Sequence, residues 1–217
     1  MARMTRRFAL AAFAAGALLA TPAQAQWQEW EADDELGFVI GAPDAPVTIV
    51  EYFSPTCSHC AEFDADVLAE VRADYVDTGK VRLVMREYIR NDADTVIITQ
   101  ARCLGNDAGV AFIEDVFADQ DAVIAAANAG KLPGKLIEIA TPHGLTDRAA
   151  FDACHSDLDI RFDMVDVQQS ASHYRVRLTP TFIADGKVKP GDHDTSSPEA
   201  FSAFLDKLLA KTAPATN

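Results

Sequence analysis

The sequence predicts an α/β chain in which an all-helical block interrupts one mixed sheet. Three observations carry that expectation. The β-branched and aromatic run Val47–Phe53 precedes a helical stretch and then a second strand-like run at 81–89. The tract 94–174 is rich in alanine, with apolar residues at helical spacing. Strand-forming residues return at 179–188, and an amphipathic helix follows. Right-handed β-α-β connections and short links then favour a single sheet with the helices inserted between its halves.

In chain order, Leu36 to Ile40 is a candidate first strand. Gly41-Ala42-Pro43-Asp44-Ala45-Pro46 ends it, because two prolines and a glycine break a ladder. Residues 47–53 lack a helical period and read as a central buried strand. A helix is expected from the cysteine at 57 to about Asp77, stopped by Thr78-Gly79. Residues 81–89 alternate enough for a second long strand. The tract 94–174 is expected to hold four or five helices, broken at Gly105, Gly130, Pro133-Gly134 and Pro142-His143-Gly144. Phe112, Val116 and Phe117 form a helical core stripe there, and the last helix runs over 157–174. Thr179 opens the returning strand, which turns at Asp185-Gly186 into another. Ser197-Pro198-Glu199 caps a final helix with proline at its first position. Phe201, Phe204, Leu205, Leu208 and Leu209 fall on one side of it.

Residues 1–25 read as a secretory signal peptide. Arg3, Arg6 and Arg7 make a basic start, Phe8 to Ala20 is apolar, and Ala23-Gln24-Ala25 is a small-x-small cleavage site. The apolar run is too short to span a bilayer comfortably. The mature chain is therefore expected to begin at Gln26 and to work outside the cytoplasm, most simply in a bacterial periplasm. About 190 residues remain, enough for one well-buried domain or a domain with a large insertion. Losing the three leader arginines takes the formal charge from −14 to −17. Such acidity serves solubility and argues against nucleic acid or an anionic membrane as the main partner.

Four cysteines, Cys57, Cys60, Cys103 and Cys154, allow three pairings in an exported chain. Proximity dictates Cys57 with Cys60, which leaves Cys103 with Cys154. The motif Cys57-Ser58-His59-Cys60 lies between a strand and a helix start. Helix positions i and i+3 share a face, so the two sulfurs can meet. Free backbone N–H groups at a helix N-terminus favour an anion, here a thiolate. Strand, C-x-x-C, helix is the arrangement that a dithiol redox centre needs. A zinc site would need two further ligands, and Cys103 and Cys154 are single and remote. No metal is expected, and no cofactor beyond the redox disulfide itself.

The run from Glu51 through Tyr52-Phe53-Ser54-Pro55-Thr56 and the dithiol to Ala61-Glu62-Phe63 resembles the active-site stretch of the DsbA-like thiol:disulfide oxidoreductases. Thr179-Pro180-Thr181-Phe182 resembles the loop that carries a cis proline opposite the dithiol in thioredoxin-fold proteins. Helices between the two halves of that fold are the family's hallmark. The resemblance implies a thioredoxin fold with an inserted all-helical domain: first half at 26–93, insertion at 94–174, second half at 175–217. Cys103 and Cys154 resemble a second disulfide carried in the helical domain by a subset of the family, notably from alpha-proteobacteria.

The resemblance also implies roles. Cys57 is the exposed nucleophile, and Cys60 the buried partner that re-forms the disulfide. His59 would stabilise the Cys57 thiolate, as in strongly oxidising members, unless it is a plain surface histidine. Ser58 departs from the proline common at its position, which bears on the redox potential rather than the chemistry. Glu51 falls where the family carries a buried acid, and would accept or relay the Cys60 proton; otherwise it is a strand-end carboxylate facing solvent. Pro180 would follow a cis bond after Thr179 and leave the Thr179 backbone free to pair with an extended substrate; otherwise it is a trans turn proline. The Cys103–Cys154 pair would close a loop of about 50 residues, contributing roughly 4 kcal/mol as a staple. Trp27 and Trp30 read as packing or surface residues, and His143, His155, His173 and His193 as structural.

The implied activity is that of a monomeric periplasmic oxidase. It would pass its Cys57–Cys60 disulfide to unfolded or reduced exported proteins and be reoxidised by a DsbB-like membrane quinone reductase. A competing reading is a disulfide isomerase or reductase of the DsbC-like or ScsC-like kind. Threonine before the proline occurs there too, but the few residues ahead of the first strand leave little room for a dimerisation domain. A third reading keeps the fold as a binding scaffold with an inert C-x-x-C.

Overall fold

The computed structural model describes residues 36–188 and 197–212. The expected signal peptide, Trp27, Trp30 and His193 lie outside the described residues. Among the described residues, five strands form one sheet, in the order β1 (Phe38–Ile40), β3 (Val81–Glu87), β2 (Val47–Phe53), β4 (Thr181–Ala184) and β5 (Lys187–Val188). β2 and β3 pair in parallel at its centre, and β1 flanks β3 antiparallel. β4 lies antiparallel to β2, and β5 to β4. Both central strands are covered on two faces, which is why their sequences are nearly continuous apolar runs. β1 is shorter than expected, because Leu36 lies in a turn before it. β3 stops at Glu87 rather than Ile89 because β2 gives out: Tyr88 N–H donates to Phe53 O at 2.6 Å and the ladder ends.

Strand alternation sorts the two faces. Ile49, Phe53, Leu83 and Met85 join the larger core, with residues of 57–76, of the final helix at 198–212 and of most of the helical block. Val50, Tyr52, Val84 and Ile183 face the other way, onto Val167, Ala171 and Tyr174. Glu51 shares the face of Ile49 and Phe53, the same layer that holds both active-site cysteines. The expected helix after Cys57 is α1. It starts as Ser58–Phe63 and continues to residue 76 through π-helical stretches at Asp64–Leu68 and Arg72–Val76.

The insertion contains six helices, not four or five: α2 (Asp92–Leu104), α3 (Asn106–Ala118), α4 (Gln120–Asn128), α5 (Leu132–Ala140), α6 (Arg148–His155) and α7 (Leu158–His173). Two junctions need no glycine or proline. Asp119 alone separates α3 from α4, and Asp157 accepts from the backbone N–H groups of Asp159 and Ile160 to start α7. Pro133-Gly134, expected as a break, lies instead in the first turn of α5, where a missing N–H costs nothing. Gly105, at φ +80°, ends α2 and starts α3 in a single residue. Phe112, Val116 and Phe117 are buried, as core residues of α3. A disulfide joins Cys103 of α2 to Cys154 of α6, with Cα atoms 5.7 Å apart.

α8 (Pro198–Thr212) starts with Ser197 Oγ accepting from Ala200 N–H at 3.3 Å. It buries Phe201, Phe204, Leu205 and Leu208. Phe201 packs on Phe63 of α1 and Phe182 of β4, with ring centres 5.2 and 5.1 Å away. This aromatic cluster ties the returning strand to the helix that carries the dithiol. No helix among the described residues is long and apolar enough to cross a membrane.

Candidate active site

Cys57 is the N-cap of α1, with extended backbone at φ −91° and ψ 116°. Its carbonyl accepts from Cys60 N–H at 3.1 Å and Ala61 N–H at 3.2 Å, so the first turn of helix closes directly over the motif. No acidic residue occupies that first turn to compete for the positive helix end. Both thiols are reduced. Cys60 is fully buried, and Cys57 is only 5% exposed. The expectation of an exposed nucleophile therefore needs correction: Cys57 sits at the floor of a cleft, covered by the Thr179 loop. The Thr179–Pro180 peptide bond is cis, and Thr179 O lies 3.3 Å from Cys57 Sγ.

The two thiols are driven apart in acidity. Cys57 is lowered to about 5. The first cause is a hydrogen bond from the Cys60 thiol; the Thr179 side chain, the Cys60 backbone N–H and the charge of Arg90 add to it, against the cost of burial. Cys60 is pushed far up, by the same hydrogen bond, by burial and by the nearby charge of Glu51. The contact with the Thr179 carbonyl serves only the protonated sulfur, since an anion has no hydrogen to give. The Thr179 Oγ1 atom is buried without a hydrogen-bond partner among the described residues, and as a donor it favours the thiolate.

Glu51 is 2% exposed, so the solvent-facing alternative does not hold. Burial first, then the charges of Asp64 and Cys57, raise its carboxyl to about 8. Its Oε2 atom has no hydrogen-bond partner among the described residues. Asp64, one turn after Cys60, is raised to about 6, chiefly by burial and then by Glu114, against Arg72. The hydrogen-bond partner of His59 is a carboxylate. Its Nδ1 meets Glu62 Oε2 at 3.0 Å, and its side chain is 76% exposed. Positions 59 and 62 share a helix face, and a carboxylate there competes for the imidazole. Glu62 is the main cause of its raised pKa, with the charge of Cys57 a lesser one. Ser58 is exposed at the cleft mouth.

Two residues that the sequence did not single out hold the dithiol loop from the helical block. Asp94, fully buried in the first turn of α2, accepts from Ser54 Oγ at 3.0 Å, Thr56 Oγ1 at 2.8 Å, and the N–H groups of Thr56 and Arg90 at 3.1 and 2.9 Å. Gln120, opening α4, donates to Pro55 O at 2.8 Å and Cys57 O at 3.1 Å. The one sequence signal was Asn91-x-x-Asp94 before a helical run, a capping pattern: Asn91 Oδ1 accepts from Asp94 N–H. Gln120 carried no signal, because only the folded block brings it to the loop.

A thioredoxin family model matches residues 33–207. A Rickettsia bellii protein with a provisional protein-disulfide oxidoreductase name is 29% identical over 180 residues, covering 82% of this chain and 67% of that protein. A Rickettsia felis protein of the same provisional name is 29% identical over 177 residues, and the chain spans 61% of its length. Among solved structures, Wolbachia pipientis alpha-DsbA1 superimposes with a TM-score of 0.69 at 24% identity, covering 81% of this chain and 92% of that one. Oxidised BdbD from Bacillus subtilis gives 0.64 at 18% identity, with 82% and 95% covered. These likenesses show a shared fold with the helical domain inserted.

Proposed function

The chain belongs to the thioredoxin family, and on that premise we propose that it is a thiol:disulfide oxidoreductase that donates a Cys57–Cys60 disulfide to exported proteins in the periplasm. The observation that carries the reading is the split in acidity, with Cys57 lowered to about 5 and Cys60 raised. A thiolate so stable is a good leaving group, and it makes the disulfide that contains it oxidising.

In the proposed cycle the resting pair is oxidised. A substrate thiolate attacks Cys57 Sγ, the Cys57–Cys60 bond breaks, and Cys60 leaves with its electron pair. Buried and strongly basic, Cys60 takes a proton at once. Glu51, raised to about 8, is protonated at neutral pH and supplies it. The substrate's second thiolate then attacks its own linked sulfur, and Cys57 departs as a thiolate. Two substrate thiols have become one disulfide, and the enzyme disulfide has become a thiolate and a thiol. The backbone of Thr179, beside the sulfur, pairs with the extended substrate. His59 and Ser58 border the approach to the sulfur, and His59, when protonated, adds positive charge near it. A DsbB-like membrane quinone reductase takes up the two electrons. The catalytic unit is a monomer without metal or cofactor, and the Cys103–Cys154 disulfide is structural.

Thiolate absorbance of the reduced protein should titrate with a midpoint near pH 5, and the oxidised protein should convert a reduced dithiol peptide to its disulfide at neutral pH. A midpoint near that of free cysteine, about 8.5, would remove the reading. A glutathione redox titration separates the oxidase from an isomerase or reductase: a strongly oxidising midpoint favours the former.

A further inference from the structure

Cys57 lines one of two adjoining clefts that share His59, Leu178 and Thr179 yet differ in charge. One, of about 390 Å³, holds Arg90 and Arg177 beside Thr56 and Cys57, with no acidic lining residue. The other, of about 360 Å³, lies towards Pro180 and is bounded by Glu62 and Asp66. Arg90 and Arg177 are exposed. Neither guanidinium has an ion-pair partner among the described residues. Asp94, four residues after Arg90, bonds the Arg90 backbone rather than its side chain. Leu178, 75% exposed, stands between the clefts as an apolar step. In a chain with a formal charge of −14, two guanidinium groups without an ion-pair partner among the described residues give this cleft a locally basic lining.

We propose that the Arg90–Arg177 cleft receives an acidic side chain flanking the cysteine of an incoming polypeptide, so that the dithiol exchanges fastest with cysteines next to Asp or Glu. The inference rests on the reading that Cys57 exchanges with protein thiols. A guanidinium fork matches a carboxylate directly. The molecule's net negative charge repels an acidic segment, but beyond about 8 Å physiological salt screens that repulsion, while a contact pair persists. Glu62 and Asp66 exclude the same side chain from the second cleft, which gives the bound segment a direction. A segment laid past Thr179 spans both clefts. A small carboxylate-bearing thiol fills only one, so the polypeptide is the better occupant.

The test uses three peptides of one sequence, each with a single cysteine flanked by Glu, Gln or Lys. In each reaction the peptide thiolate attacks Cys57 Sγ, forming a mixed disulfide and releasing Cys60, and a second peptide thiol completes the reduction to give a peptide disulfide. Loss of the Cys57–Cys60 disulfide in the full chain is followed by alkylation and mass, with rates expressed per thiolate. The Glu peptide should react about threefold to fivefold faster than the Gln peptide at low salt, and the Lys peptide more slowly than either. Arg177→Ala should bring the Glu-to-Gln ratio to near one, Arg177→Lys should restore part of it, and 1 M salt should abolish it. A ratio of one in the unaltered chain, or one indifferent to Arg177→Ala, overturns the proposal. So does an Arg177-dependent preference for glutathione over its diester in the absence of any peptide preference. If the peptide ratios hold but the glutathione titration gives a reducing midpoint, the oxidase reading fails and this one stands.

Discussion

At the scale of single residues, the molecule keeps an acid where an acid is costly. Glu51 lies in the core beside the sulfurs, with its carboxyl raised to about 8 from an ordinary 4.5, chiefly by burial. Below pH 4.5 folded and unfolded chains are both protonated there, and the group is neutral to stability. As pH rises from 4.5 to 8 the unfolded chain releases this proton while the folded chain keeps it, so stability falls across that window. Glu51→Gln removes the titration at nearly the same volume. It should stabilise the reduced protein at pH 7 by about 3 kcal/mol, with a smaller gain at pH 5. Urea unfolding at the two pH values measures both, and an unchanged or lower stability at pH 7 would show that the carboxyl is not held against its preference. The same change should slow proton delivery to Cys60 and so the first exchange step. The candidate site was partly legible at this scale. C-x-x-C after an apolar strand located both thiols, and Glu51 entered with the motif. Asp94, Gln120, Arg90 and Arg177 did not, because they come to the dithiol loop and its cleft from other parts of the chain and share no spacing with the cysteines.

Among elements, the close crossing of α2 and α3 fixes how the helical block presents Asp94 and Gln120 to the dithiol loop. Gly109 makes that crossing possible. A Cβ there would lie 2.5 Å from Ala101 O and 2.7 Å from a ring carbon of Phe38. The first obstacle is backbone and cannot rotate away. Gly109→Ala should therefore cost about 1–3 kcal/mol by overpacking, despite the better helix propensity of alanine. A chain denatured by urea at the same midpoint as the parent would contradict it. The contact also bears on why element number was the least legible part of the fold. Val47–Phe53 was readable to the residue, since Pro46 and Ser54-Pro55 bracket a run dominated by β-branched and aromatic residues. The helical block was not. α3 and α4 meet at Asp119 with neither glycine nor proline, while Pro133 lies in the first turn of α5 instead of at a break. Proline marks a boundary only to within a turn, and a single non-glycine residue can end a helix when tertiary packing supplies the rest of the energy.

For the whole molecule, the question is what keeps the helical domain in one arrangement over the sheet. α2 contributes at both ends: Asp94 in its first turn grips the dithiol loop, and Cys103 in its last turn is bonded to Cys154 of α6. The bonded residues are 51 apart in sequence. Closing a loop of that length withdraws conformations from the unfolded chain worth about 4 kcal/mol in the chain-entropy account. The double substitution Cys103→Ser with Cys154→Ser should lower the unfolding free energy by that order. Because the unfolded chain then expands, the denaturant slope should rise as the midpoint falls. The comparison is made with Cys57 and Cys60 reduced in both proteins, so that only one bond differs. The Cys57 ionisation midpoint should stay near 5, since the groups that lower it, Cys60, Thr179 and Arg90, do not include the staple. A large shift of that midpoint would mean that the staple acts on the reacting sulfur through Asp94 and α2. A stability loss below about 1 kcal/mol would mean that the packing of α2 against α3 and α6 already holds the block, and that the unfolded chain is compact enough for the cross-link to remove little.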